Sequence, residues 1–145
     1  MIFDKTLQFS DAQPITATVA STNVIDRGAT GTSYGHAAAL GRDEGIGKEI
    51  PLLAQVVEAF NNLTSLKIAL EGSTDEVFTS PVEIESQTLL LAALTVGAQL
   101  KLDEFPRGSI YRYYRMKYTV TGSAPTTGKI TAGIVAGIQP DFAGV

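Results

Sequence analysis

The sequence predicts an all-β protein: a jelly-roll-like, double-sheet antiparallel sandwich with about eight strands and one long glycine-rich loop. Three observations lead to this prediction. Short segments rich in Val, Ile, Thr, Tyr and Leu alternate apolar and polar residues with period two. Turn residues, including 14 glycines, separate these segments. The length of 145 residues suits one domain built from two packed sheets.

Eight segments follow one another as predicted strands. In the fourth, Leu66, Ile68 and Leu70 share one face, which is the pattern of a half-buried strand. The sixth also admits a helix, although its second half favours a strand. In the seventh, Tyr111 and Tyr113 fall out of phase with the residues that follow, so we expect a bulge or a bend near Tyr113. The predicted strands span residues 5–9, 15–25, 50–60, 65–72, 77–85, 89–102, 110–121 and 129–138.

The chain is predicted to form a single β domain over residues 1–145, without a linker or an internal repeat. Residues 1–13 form an N-terminal arm or edge strand. Residues 27–49 hold six glycines and few large apolar side chains, and they form the long loop. Because structureless loops above roughly 12–15 residues are usually functional or mobile, this loop is the first candidate for binding a partner.

Composition excludes several kinds of site. The chain has no cysteine, so it has no disulfide, no thiolate metal site and no cysteine nucleophile. Its single histidine is His36. With 44% hydrophobic and 18% charged residues, the composition is that of a folded chain rather than a disordered one. We therefore expect a folded protein without a metal or a cofactor.

The sequence predicts that the protein binds neither a membrane nor a nucleic acid. The longest uncharged stretch, residues 86–100, is shorter than the about 20 apolar residues that span a bilayer. A formal net charge of −4 lacks the basic footprint that phosphate binding requires. No apolar run of a secretion signal follows the acidic Asp4, so we expect the protein to be made and kept in the cytoplasm.

Patterns that resemble catalytic motifs have simpler interpretations. The run from Gly45 to Lys48 lacks the first glycine and the final hydroxyl residue of a phosphate-binding loop. His36 has serine and aspartate neighbours in sequence, but not the sharp turn that carries a catalytic serine. Neighbouring acids on an extended chain point in opposite directions and do not form a facing glycosidase pair. Such acids occur at Asp43/Glu44, Asp75/Glu76 and Asp103/Glu104. We predict that the chain is not an enzyme.

Tyrosines and basic residues are interleaved in the seventh predicted strand. This combination suits an interface, a platform on which sugars or bases stack, or ordinary strand packing, and the sequence leaves these alternatives open. The residues are Tyr111, Arg112, Tyr113, Tyr114, Arg115, Lys117 and Tyr118.

Charge is distributed unevenly along the chain. Residues 43–85 carry nine acids against two bases, and residues 101–129 carry six bases against two acids. Such asymmetry favours docking between complementary surfaces. We expect the basic strand around Arg115 to meet an acidic surface of a second copy or of another protein.

Several blocks of the sequence resemble the capsid cement proteins of tailed bacteriophages of the Bordetella-phage type. The most specific block is FDKTLQFSDAQ, at residues 3–13. Weaker matches are TAT at residues 16–18, STNVID at 21–26, GIGK at 45–48 leading into Pro51 and Leu52, and GKITAG at 128–133. The resemblance spans nearly the whole chain. The stretch between Gly28 and Gly41 departs from it by being longer than the family pattern predicts.

The resemblance implies a non-enzymatic jelly-roll protein on the outer surface of a phage head, where it stabilises contacts between subunits of the major capsid protein. It implies a small homo-oligomer, with a homodimer favoured. A carbohydrate-binding β-sandwich is the alternative, suggested by the tyrosines and the acidic pairs. The residues predicted to contact the capsid or another partner are Phe3, Asp4, Phe9, Arg27, Tyr34, His36, Arg42, Lys48, Tyr111, Arg112, Tyr113 and Arg115.

Overall fold

Nearly half of the chain lies in β-strands, which form two antiparallel sheets. A computed structural model describes residues 3–47 and 50–137, except for the side chains of Lys101 and Asp103. Within these residues there are nine strands and two short 3-10 turns, at Lys5–Leu7 and Leu91–Ala93. The strands are β1 (Gln8–Pro14), β2 (Val19–Ala20), β3 (Ile25–Asp26), β4 (Pro51–Glu58), β5 (Leu63–Ser73), β6 (Val82–Leu90), β7 (Gln99–Glu104), β8 (Tyr113–Gly122) and β9 (Lys129–Ile134).

The strand order is that of a jelly roll. The first sheet has the order β1-β9-β4-β7, and the second has β2-β8-β5-β6, with β3 also paired to β8. Because β2 and β3 pair with successive parts of β8, they act as one interrupted strand. Counted in this way, eight strands divide into two four-stranded sheets in the order that two Greek keys produce. The predicted fold class is confirmed.

The inward faces of the two sheets form one hydrophobic core. Leu52 on β4 and Ile68 on β5 are fully buried, as are Met116 and Tyr118 on β8. The polar residues between them point outward, because successive side chains of a strand lie on opposite faces. The alternation of Leu66, Ile68 and Leu70 is therefore a true core pattern.

Two predicted strands near the N-terminus have different bounds in the structure. The Asp4 side chain accepts hydrogen bonds from the backbone N–H and the hydroxyl of Thr6, so residues 5–7 form a 3-10 turn and β1 begins only at Gln8. The single strand predicted at residues 15–25 is interrupted. Between its two short pieces, the Ser21 hydroxyl donates a hydrogen bond to the carbonyl of Asn23. This local bond competes with regular strand pairing.

The predicted strand at residues 77–85 is shifted toward the C-terminus. The Asp75 carboxylate accepts the backbone N–H of Thr79, and Phe78 adopts a positive φ of 54°, so this part of the segment forms a turn. The strand itself, β6, begins at Val82 and continues to Leu90.

The next two predicted strands are correct only in their later parts. In residues 89–102, Leu89 and Leu90 end β6, a 3-10 turn and a turn at Gly97 follow, and the strand predicted for the second half is present as β7. Of the bulge or bend predicted near Tyr113, the bend is present at Arg112, and the described strand pairing there has no bulge. Tyr111 precedes β8, and the strand pairs regularly with β5 from Tyr113 onward. The last predicted strand ends at Ile134, and Ile138 lies outside the described residues.

A buried polar network joins the two sheets. The Ser10 hydroxyl on β1 donates to Gln13 Oε1 and accepts from the Tyr118 hydroxyl on β8, each at 2.7 Å. Gln13 in turn accepts the backbone N–H of Thr22 and donates to the carbonyl of Ala20. Burial raises the pKa of Tyr118 well above its ordinary value. The network therefore fixes the short β2 segment against both sheets.

Removing the Tyr118 hydroxyl should destabilise the folded chain. In Tyr118→Phe, Ser10 loses a buried partner, and we expect the free energy of unfolding to fall by about 1–2 kcal/mol. Chemical denaturation followed by circular dichroism measures this change. Tyr34→Phe is the matched control, because Tyr34 is fully exposed and has no such bond. Equal stability of the two variants would contradict a structural role for the network.

Candidate functional site

One end of the sandwich gathers the long connections of the chain. At this end β3, β5 and β7 finish and β4, β6 and β8 begin, as their pairing registers require. The N-terminal 3-10 turn lies at the same end, because it leads into β1 beside the end of β9. We call this surface the loop end. It consists of residues 3–7, 27–47, 74–81 and 105–112.

Charged side chains hold the base of the long loop. Arg27 Nη2 lies 2.9 Å from Glu44 Oε2, and Arg42 Nε lies 3.7 Å from Glu44 Oε1. The guanidinium of Arg42 also donates to the backbone carbonyls of Gly28 and Arg27, at 3.0 and 3.2 Å. Arg27, Arg42 and Glu44, which we call the loop clamp, thereby tie the two ends of the loop together.

The loop base is also fixed to the neighbouring loop at residues 105–112. Asp43 accepts the backbone N–H groups of Gly45 and Gly108, and the N–H of Glu44 donates to the carbonyl of Ser109. A Cβ atom at Gly45 would collide with the backbone of Pro106, so this contact requires glycine. The predicted loop therefore has a defined base.

Beyond the clamp, residues 28–41 form a small hairpin, which we call the loop hairpin. The N–H of Leu40 donates to the carbonyl of Gly31 at 2.8 Å, and Thr32 forms a β-bridge with Ala39. At its apex, the N–H of His36 donates to the carbonyl of Ser33 at 3.0 Å. Gly35 supplies the positive φ of 76° that this turn uses. Tyr34, at the apex, has a relative exposure of 107%.

The tyrosines predicted as a cluster do not form a stacking platform. Tyr114 and Tyr118 lie in the core, and Tyr113 is buried beneath the guanidinium of Arg112, 4.8 Å from its ring centre. Tyr114 donates to the carbonyl of Ser109 at 2.7 Å, and burial raises its pKa to about 12. Tyr111 is half-buried. The feature that suggested carbohydrate binding is therefore absent from this surface.

The uneven charge along the chain is largely balanced within the fold. Arg115 on β8 binds Glu71 on β5 at 2.7 Å and lies over the ring of Phe78 at 4.1 Å. Lys129 on β9 likewise pairs with Glu58 on β4. Arg115 therefore has an acidic partner on the adjacent strand of the same chain, and its meeting an acidic surface of another molecule stays a prediction.

Comparison with known proteins identifies the family. Residues 9–134 match the protein family Bbp16. The chain belongs to the Bbp16 family. The name of this family indicates a protein of a Bordetella phage, in agreement with the phage origin that the sequence blocks suggest. No match is found among curated proteins.

In this Bbp16-family chain, most of the predicted contact residues lie at or beside the loop end, but they do different things there. Tyr34 and His36 are exposed on the loop hairpin. Phe3 lies half-buried against Gly133 of β9, and Asp4 caps the first 3-10 turn.

The remaining candidates are less suited to contact with a partner. Arg27 and Arg42 belong to the loop clamp. Phe9 is fully buried, so it is a core residue and the prediction that it contacts a partner is wrong. Lys48 lies outside the described residues.

Sequence reasoning missed the structural use of three acids. Asp26 pairs with Arg112, Asp43 caps two backbone N–H groups, and Glu44 joins two arginines. The sequence contained one usable signal, since three charged residues, Arg42, Asp43 and Glu44, are adjacent in a glycine-rich loop. Its contact with Arg27, across the loop, depends on the folded backbone.

Among the described residues, no group of three His, Cys, Asp or Glu side chains is placed to hold a metal ion. Over the same part of the chain, no helix has the length and apolar character needed to cross a membrane. An open groove of about 640 Å³ runs beside the N-terminal turn, lined by Asp4, Leu7, Ile134, Val135 and Ala136.

Acid should weaken the pairing of Asp26 with Arg112. The two side chains form paired hydrogen bonds of 2.7 and 2.8 Å, which lower the pKa of Asp26 from 3.8 to about 2. A lowered pKa means that the pair stabilises the folded chain above pH 3.8 and that this contribution is lost as the pH falls toward 2.

The free energy of unfolding, measured by denaturation at a series of pH values, should therefore fall over this range. The fall should be smaller in Asp26→Asn, which cannot titrate. The same pH dependence in both proteins would show that Asp26 contributes nothing to the acid response.

Neutralising Glu44 should loosen the loop hairpin without unfolding the sandwich. Glu44→Gln keeps the size of the side chain but removes its charge, so we expect faster hydrogen exchange at the amide of Leu40, which bonds to Gly31. NMR measures this exchange residue by residue. Glu76→Gln, at an exposed acid in another loop of the same end, is the control. Unchanged exchange in Glu44→Gln would rule out the clamp as the support of the hairpin.

Proposed function

We propose that this protein is a capsid cement protein, a non-enzymatic component of the phage particle. It binds the outer surface of the head and stabilises contacts between subunits of the major capsid protein. Membership of the Bbp16 family and the resemblance of its sequence blocks to capsid cement proteins support the proposal. The structural observation that carries it is the loop end, where a hairpin and two further loops stand on a braced sandwich.

Cementing of this kind needs binding energy and no chemical step. A protein that binds the assembled shell more tightly than separated subunits stabilises the shell by the difference in binding free energy. Each copy adds its own contribution, so many weak contacts together can make a large effect on one particle. A rigid sandwich with exposed loops at one end suits this task, because the core holds the loops in place for contact with the shell.

The exposed apolar side chains of the loop end supply candidate contacts. Tyr34 and Leu40 are exposed on the loop hairpin, Ile46 beside the clamp, Val77 in the loop at residues 74–81, and Ile110 in the loop at residues 105–112. Apolar side chains that come from separate loops and meet at one surface are typical of protein interfaces.

The proposal includes synthesis in the host cytoplasm and a homodimer as the unit that binds. Sedimentation of the purified chain measures the oligomeric state. We propose no nucleic acid or membrane as a partner. Carbohydrate binding is the less favoured function, because three of the four tyrosines that suggest it, Tyr113, Tyr114 and Tyr118, are buried.

The decisive test uses phage heads made with and without this protein. We expect heads that lack it to fail at a lower temperature, as followed by light scattering or release of DNA. Adding the purified chain to finished, deficient heads should restore their heat resistance, because the binding surface lies outside. Deficient heads as resistant as complete ones would contradict the cementing role. Restoration only when the protein is present during assembly would contradict an outer position.

A further inference from the structure

The loop hairpin is already ordered in the free protein, as is typical of a preorganised binding element. It is closed by backbone hydrogen bonds and held at its base by the loop clamp. Every residue from 29 to 41 is nevertheless exposed, so these bonds hold the hairpin away from the core. Ordering such a loop costs about 1–2 kcal/mol per residue in backbone entropy, and a hairpin that is already ordered avoids much of this cost on binding.

We propose that the loop hairpin inserts into a narrow, uncharged cleft between two neighbouring protein subunits of the phage shell, with Tyr34 as its anchor. The identity of the shell as the partner rests on the proposed function. The assignment of the hairpin and of Tyr34 goes beyond it, since the same function could use any other part of the surface.

The composition of the hairpin indicates the chemistry of the cleft. Apart from Tyr34, His36 and Leu40, every residue from 28 to 41 is Gly, Ala, Ser or Thr, so the hairpin is slim. None of these residues is Asp, Glu, Lys or Arg, and in the clamp below both guanidinium groups lie against the Glu44 carboxylate. A charged cleft would lose hydration against this hairpin and gain no partner. The hairpin therefore fits a cleft that is lined by backbone and apolar groups.

Tyr34 is the side chain that can supply most of the binding energy. It is the large aromatic residue of the hairpin, it stands at the apex, and it is fully exposed in the free chain. A tyrosine buries a large area, fixes few rotatable bonds, and brings a hydroxyl that can bond to a backbone group. Residues with these properties, seated in a pocket at the centre of an interface, are typical hot spots.

The first experiment measures binding of purified variants to heads prepared without this protein. Tyr34→Ala should lower the affinity at least about tenfold, as expected for a hot-spot residue, and Tyr34→Phe should stay within about threefold of the wild type. Leu90→Ala is the matched control, since Leu90 is also a large exposed apolar residue but lies at the opposite end of the sandwich. It should bind as the wild type does.

Salt separates this contact from an electrostatic one. Because the hairpin carries no Asp, Glu, Lys or Arg side chain, the ratio of wild-type to Tyr34→Ala affinity should change less than about twofold between 0.05 and 0.5 M salt. A ratio that collapses as salt rises would overturn the uncharged cleft.

The second experiment reports insertion directly. The chain has no cysteine, so Ala37→Cys and Val96→Cys each introduce a single thiol, one on the hairpin and one at the opposite end. Both thiols should react rapidly with a maleimide in the free protein. On heads, only the thiol introduced at position 37 should be protected.

The possible outcomes separate the two proposals. If the wild type binds heads but Tyr34→Ala binds equally well, or if the thiol at position 37 remains reactive, the hairpin proposal is wrong and the cementing function stands. If the wild type does not bind heads, both are wrong.

Discussion

The order of strands in a jelly roll constrains where this protein can place a binding surface. Most consecutive strands lie in different sheets, so most connections cross one end of the sandwich or the other. At the end opposite the loop end, the crossings are residues 15–18, 59–62, 91–98 and 123–128, none longer than eight residues. At the loop end, the crossing between β3 and β4 takes up residues 27–50. The same topology that closes the core therefore leaves one end free to carry an elaborated loop, and most of the distinctive contacts of the molecule lie there.

Pairing between strands also explains why charge along the sequence is a poor guide to charge on the surface. The acidic and basic segments look complementary, and antiparallel pairing brings them together inside one molecule. Glu71 lies directly opposite Arg115 on neighbouring strands, and Glu58 lies opposite Lys129. Cross-strand pairs of opposite charge contribute about 0.2–1 kcal/mol each, so their main effect here is to favour the observed register. The surface left for a partner is less polarised than the sequence suggests.

The sequence predicts the parts of this fold that depend on alternation, and it fails where a single local bond decides the conformation. The strands around Ile68 and Ile130 bury every second side chain, and their pattern is legible without a structure. The segment after Asp75 reads as a strand, but the carboxylate binds the backbone of Thr79 and makes a turn. The candidate site, like the fold, could be predicted from the sequence only in part. A glycine-rich loop is visible in the composition, whereas its brace is not, because the contacts of Glu44 with Arg27 and with the backbone of Ser109 join residues that only the folded chain brings together.

The long loop has two parts, a braced base and an exposed hairpin. The base is tied to the stability of the fold, and the hairpin is free for contact with a partner. Side chains of the base are tied to the sandwich through Arg42, Asp43 and Glu44, and a change there alters how the hairpin is held. The hairpin itself contributes no side chain to the hydrophobic core. Its residues can therefore follow the shape of a partner at little cost to the stability of the fold, while the base keeps Tyr34 in a fixed place. The hairpin can therefore vary in sequence while its place on the sandwich stays the same.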